Sequence, residues 1–188
     1  MSTLATLDLF TPVVPVAATH TAPTLPTTPT APATPRRRVA HEYKLVSLRE
    51  CPLPETLATC EQPELAARYW REHVTTHPAF NADVECFVAL LLNTRRRVKG
   101  HVLISTGILD TILIHPREVF RPAIIGAASS IIVMHNHPSG DPSPSEADIR
   151  ATRDLIRAGQ LLRIEVLDHI VMGNPKHSSL RELGYFYQ

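Results

Sequence analysis

The segment 131–148, IIVMHNHPSGDPSPSEAD, constrains this chain more tightly than any other stretch. Residues 130–134, apolar from Ile131 onward, read as a buried strand. Pro138, Gly140, Pro142 and Pro144 end that strand and force the chain around a tight loop. Ser145 and Asp148 then stand at the start of a helix expected over 146–158 and stopped by Gly159. A last core strand, 164–172, follows, so strand, loop, helix and strand succeed one another.

The elements ahead of this segment alternate in the same way. A short strand is expected over 43–48, then a Pro-punctuated loop, then a helix opened by Pro63 and continuing to Trp70. VECFVALLL at 84–92 reads as a buried strand, NTRRR at 93–97 as a hairpin turn and 98–104 as the returning strand. Residues 111–115 read as another strand, after which Pro116 opens a helix. Pro122 argues against continuation of that helix, because an interior proline removes a helical hydrogen bond. The alternation predicts an α/β domain with a mixed sheet.

The start of the chain has a different character. Residues 1–35 hold seven of the 17 prolines with ten threonines and six alanines, contain no Lys or Arg, and carry Asp8 as their only charge. Such a composition has no apolar periodicity and favours extended conformers, so 1–40 is expected to be a disordered Thr/Pro/Ala-rich tail and 41–188 the folded domain. The chain's 188 residues, 44% of them apolar, suffice for one core. A formal net charge of +1 gives no whole-chain argument for a nucleic-acid or membrane partner. No stretch approaches the roughly 18 to 20 continuous apolar residues of a membrane span. Cys51, Cys60 and Cys86, an odd set without C-x-x-C, fit a reducing compartment; with no signal-peptide pattern at the N-terminus, a cytoplasmic location is expected.

Residues that carry chemistry gather in the opening segment. Alternate strand residues face one side, so His135 and His137 at a strand end offer two imidazoles to one point, and the Pro/Gly loop can return Asp148 to them. Two His and one carboxylate leave a fourth tetrahedral position for water, the pattern of catalytic rather than structural zinc. Each piece also has a plainer meaning. H-x-H alone is commonly a pair of surface histidines, and Ser145-Glu146-Ala147-Asp148 matches a helix capping box. The complete spacing favours a site, since every element then serves it, and the two oxygens of Asp148 can divide capping and ligation. Asp168 and His169 are candidates to orient a zinc-binding imidazole, but adjacent strand residues face opposite sides, so only one can look at the site. His115, before Pro116, reads as structural. The cysteines have no metal spacing, and the H-x-E and P-C-x-x-C motifs of nucleoside-type zinc deaminases are absent.

The pattern H-x-H-x(7)-S-x-x-D resembles the signature of the JAMM (MPN-plus) metalloproteases, and HNHPSGDP at 135–142 followed by Pro144 and Ser145 resembles their RadC branch. The likeness extends to Glu85-Cys86-Phe87-Val88, Leu92-Asn93-Thr94, HPREVF at 115–120 and LDHIVMG at 167–173, and covers 43–184. It implies an MPN/JAB domain, a cytidine-deaminase-like mixed β-sheet flanked by helices, with Zn2+ bound by His135, His137 and Asp148. It also implies that Glu85 is the general base acting on a water and that Ser145 donates a hydrogen bond to the oxyanion. Read without the family, Glu85 is a solvated carboxylate at a strand start. This chain departs from longer RadC proteins in having the Thr/Pro-rich tail where they carry a helix-hairpin-helix region. The expected activity is zinc-dependent hydrolysis of an amide or isopeptide bond in a protein or peptide substrate. The alternative is a nucleic-acid-associated accessory module using Arg36, Arg37 and Arg38 with Arg95, Arg96 and Arg97, clusters more simply read as solvated charge.

Overall fold

The computed structural model describes residues 50, 51, 55, 59, 60, 62–107 and 114–187. The tail over 1–40, the triplet at 36–38, the strand expected over 43–48 and residues 111–113 of the strand expected over 111–115 lie outside the described residues; Ile114 and His115 are described and are not in a strand.

The described residues form a five-stranded sheet of order β2-β1-β3-β4-β5, from β1 (Cys86–Leu92), β2 (Val98–Thr106), β3 (Ser130–Asn136), β4 (Glu165–Met172) and β5 (His177–Ser179). β3 and β4 run parallel and the other neighbours antiparallel, so the sheet is mixed, as the alternation predicts. Parallel neighbours need a crossover, which helix α3 (Glu146–Leu162) supplies. β1 and β3 are buried along their whole lengths because the sheet is covered on both faces, which is why both read as nearly unbroken apolar runs.

Alternation sorts the core into two layers. Cys86, Val88, Leu90, Leu92, Ile132 and Met134 pack against Ala66, Ala67 and Tyr69 of α1 (Pro63–Tyr69). Phe87, Ala89, Leu91, Ile131 and Val133 pack on the opposite face against Val119, Phe120 and Ala123 of α2 (Pro116–Ile125) and Leu155 of α3. His135 has the parity of Ile131 and Val133 and belongs to the α2/α3 face, whereas Asn136 belongs to the α1 face.

Several boundaries differ from expectation for identifiable reasons. α1 gives way at Trp70 to a π-helical turn, Trp70–Val74, rather than ending there. α2 continues through Pro122 to Ile125. The N–H that proline lacks would have met the carbonyl of Glu118, an exposed residue that water can satisfy, while the buried Val119, Phe120 and Ala123 hold the helix to the sheet. α3 runs past Gly159 to Leu162 and is capped by Arg163, which takes the left-handed conformation at φ 57°. Gly159 is required by close approach, since a Cβ there would lie 2.5 Å from the Ile164 carbonyl oxygen and 3.3 Å from the Phe120 ring. β1 starts at Cys86, β2 extends to Thr106, β3 extends to Asn136 and β4 starts at Glu165. The three-residue β5 has no expected counterpart. Among the described residues no helix is long and apolar enough to cross a membrane.

Candidate metal centre

His135 lies inside β3 and His137 one residue beyond it. His137 keeps strand-like placement because its backbone N–H donates to the Met172 carbonyl at the end of β4. The two Nε2 atoms are 3.0 Å apart. The following loop folds back because Gly140 takes φ 81° and its carbonyl accepts the Asn174 N–H at 3.0 Å. Gly173 permits that docking: a Cβ on it would lie 2.4 Å from the Gly140 oxygen.

Asp148 arrives on the first turn of α3. Ser145 Oγ accepts the Asp148 N–H at 3.2 Å, and Asp148 Oδ2 accepts from the Ser145 N–H at 2.7 Å and the Ser145 hydroxyl at 2.6 Å. Asp148 Oδ1, outside this capping box, is 3.2 Å from His135 Nε2; Oδ2 is 3.6 Å from His137 Nε2. Oδ2 thus caps the helix and also faces His137, while Oδ1 turns to His135.

The donor set suits a cation. His137 Nδ1 is 2.8 Å from the Asp141 carbonyl, which can only accept, so a neutral His137 carries its proton on Nδ1 and a lone pair on Nε2. That lone pair and the acceptor-only carboxylate converge with His135 Nε2, one ligand atom from each residue, all within 4.8 Å. Tetrahedral zinc with bonds of about 2.0–2.1 Å places its ligand atoms roughly 3.3 Å from one another. The 3.0 and 3.2 Å separations from His135 Nε2 are close to that requirement.

Electrostatics follow from the crowding. Burial alone would push the Asp148 carboxyl up, but the hydrogen bonds that His135 and His137 would donate when protonated, with that from Ser145, hold it far below the usual carboxylate range. The hydrogen bond that a protonated His137 would donate to Asp148 raises His137, with burial opposing it. His169, fully buried, is driven well below the usual imidazole range by desolvation.

Glu85 sits half-buried just before β1. Burial raises its carboxyl, His135 and His137 pull it back down and Asp148 pushes it up again, so its side chain shares the field of all three. Asn136, on the other face of the sheet, accepts the Cys86 N–H on Oδ1 at 2.9 Å and donates from Nδ2 to the Val84 carbonyl at 3.0 Å. The peptides on both sides of Glu85 are thereby held. Ser145 is at the cluster, its hydroxyl donating to Asp148.

Asp168 and His169 part company as alternation requires. His169 Nε2 is 2.9 Å from His135 Nδ1, and its Nδ1 is 2.6 Å from Thr152 Oγ1. Asp168 turns to the other face and accepts from the Ser179 hydroxyl and the Arg181 N–H. Phe87 stacks on the His135 ring at 6.0 Å. Sequence reasoning missed Thr152 and the grip of Asn136. Thr152 stands four residues after Asp148, hence on the same side of α3, and that spacing was the available signal. His115 is exposed at the N-cap of α2, and the free Cys51, Cys60 and Cys86 do not join the cluster. Arg95, Arg96 and Arg97 lie exposed beyond the Leu92 end of β1, which pairs with Ser130, whereas its Phe87 end pairs with His135.

A family model described as "RadC-like JAB domain" matches residues 60–185. A UPF0758 protein of Bacillus cereus is 47% identical over 123 residues, which are 65% of this chain and 52% of that protein. A UPF0758 protein of Bacillus mycoides is 52% identical over 123 residues, again 65% and 52% of the two chains. One from Desulforamulus reducens is 51% identical over 102 residues, 54% of this chain and 45% of its own. The chain spans about half the length of the curated relatives it matches.

Proposed function

Because the chain belongs to the RadC-like JAB domain family, we propose that it is a zinc-dependent hydrolase of amide or isopeptide bonds in a protein or peptide substrate. The observation that carries this reading is the convergence of His135 Nε2, His137 Nε2 and the Asp148 carboxylate, with Glu85 inside their field. His135, His137 and Asp148 would hold the ion. Three protein ligands fall one short of a closed structural site, and zinc so held supplies a Lewis acid that brings the pKa of a water toward about 7 and polarises a carbonyl.

The remaining steps belong to the chain's own side chains. Glu85 accepts a proton from the attacking water on a carboxylate oxygen and returns it to the departing amine nitrogen as the C–N bond breaks. Its upward displacement by burial suits both halves of that exchange, because an acid–base group works best near the operating pH. The Ser145 hydroxyl, which donates to Asp148 Oδ2, can turn its single proton toward the oxyanion. Phe87, buried against His135, closes the inner side of the site to water. A nucleic-acid role through Arg95, Arg96 and Arg97 would operate at the opposite end of β1 and β3 from these groups.

The test is elemental analysis of the full chain followed by a screen of peptide- and isopeptide-linked substrates. One zinc per chain and turnover abolished by a chelator are expected. A folded chain without stoichiometric metal would sink the proposal.

A further inference from the structure

The hydrogen bonds behind His135 have a direction, and one proton sets it. Thr152 has a single hydroxyl proton, and its Oγ1 lies 2.6 Å from the Asp148 carbonyl oxygen, an atom that can only accept. That proton is committed to Asp148. Oγ1 is also 2.6 Å from His169 Nδ1, and with its own proton spoken for it can only accept there, so His169 is protonated on Nδ1. A fully buried ring packed against Phe87 and already protonated on Nδ1 takes no second proton, which leaves its Nε2 bare. His135 Nδ1, 2.9 Å away, must then be the donor. With its proton on Nδ1, His135 turns the Nε2 lone pair toward His137 and Asp148.

We propose that Thr152 and His169 are positioning residues that lock His135 in its Nδ1–H tautomer and so keep Nε2 ready for a metal ion. The proposal rests on the reading of His135, His137 and Asp148 as zinc ligands and adds two residues that act through one of them. An unconstrained imidazole exchanges between two tautomers, and only one offers Nε2. His137 reaches the same tautomer by a shorter route, through the Asp141 carbonyl. His135, inside the buried strand, has the side chains of β4 and α3 behind it instead. Phe87, stacked on His135 and edge-on to His169 at 5.5 Å, packs both rings against reorientation. Asp148 closes the circuit, since its carboxylate faces the site while its backbone carbonyl anchors the relay.

The test uses the full chain labelled with 15N-histidine and stripped of metal, with NMR that distinguishes Nδ1–H from Nε2–H rings, alongside zinc affinity by chelator competition. Wild-type protein is expected to show Nδ1–H at His135 and His169. Thr152→Val removes the hydroxyl and should release His135 into a mixture of tautomers and weaken zinc binding about 10- to 100-fold, the usual effect of losing an outer-shell partner. Thr152→Ser should restore both. An Nε2–H signal from His169 in the wild type overturns the proposal, whether or not the valine variant folds. So does a valine variant with unchanged tautomers and zinc affinity, even one with a lowered melting temperature, because that outcome makes the hydroxyl merely structural. A wild-type chain that binds no zinc sinks the function proposed above and leaves the tautomer assignment to be decided by the spectrum alone.

Discussion

Asn136 accepts the backbone N–H of Cys86 on its side-chain oxygen at 2.9 Å, joining two residues of different strands. Its amide nitrogen simultaneously donates to Val84, so one side chain brackets the peptides around Glu85. Because Asn136 is flanked in sequence by His135 and His137, this grip ties the position of Glu85 to that of the imidazoles. The two halves of the proposed mechanism are linked through the face of the sheet that neither of them uses.

Asn136→Ala is therefore expected to separate metal binding from turnover. The ligands are untouched and zinc should remain stoichiometric. The Cys86 N–H and Val84 carbonyl lose their partner in a buried setting, at a cost of about 1–3 kcal/mol in stability. Zinc content, denaturant unfolding and hydrolysis rate on one preparation check this. Loss of zinc from a folded variant would show that Asn136 holds the histidines rather than Glu85.

Glu85→Gln keeps the side-chain volume but cannot take a proton from water. Zinc content should be unchanged and amide hydrolysis should fall about 100- to 10,000-fold, the range for loss of a general base. Turnover that survives in the glutamine variant would remove Glu85 from the mechanism.

What could be read from the sequence was what depends on local periodicity. Alternation put His135 and His137 on one side and required Asp168 and His169 to face apart, and S-x-x-D announced the start of α3. The order of the sheet lies in no local pattern, yet it is the pairing of β1 beside β3, with Phe87 opposite His135, that brings Glu85 to the histidines. The spacing of Thr152 from Asp148 shows only that the two share a side of α3; a threonine inside a helix becomes a relay only once β4 delivers His169 to it. Gly159 and Pro122 misled in the opposite direction. A local rule reads them as breaks, but the approach of Ile164 and Phe120 to Gly159 and the solvent around Glu118 override it.

Cys60 offers a check on the core that is independent of metal. It is completely buried, and burial pushes its thiol up to about 11. Only the thiolate alkylates, so near neutral pH Cys60 should resist iodoacetamide in the folded chain and react on unfolding. Where labelling of the folded chain is detectable, its rate should climb about tenfold per pH unit on the way up toward that pKa. Mass spectrometry of peptides after pulses at several pH values is the measurement. Rapid, pH-independent labelling of Cys60 in native buffer would contradict its placement beneath α1.

Gly173→Ala tests whether the loop after β3 needs its seat on the β4–β5 turn. A Cβ at Gly173 would stand 2.4 Å from the Gly140 carbonyl oxygen and 2.9 Å from Pro142, both backbone or ring atoms with little room to yield. The loop must therefore lift, and the Asp141 carbonyl that orients His137 lifts with it. Relief would come from the loop rather than from the strands, because β3 and β4 are locked by their shared ladder from Ser130 to Asn136. Zinc affinity should fall about 10- to 100-fold, as for other losses of a partner that orients a ligand. The tautomer at His135 should stay as in the wild type, since Thr152 and His169 lie on the far side of that ring. Wild-type zinc affinity in the alanine variant would mean that His137 is oriented without the loop, and a change at His135 as well would mean that the strand itself had moved.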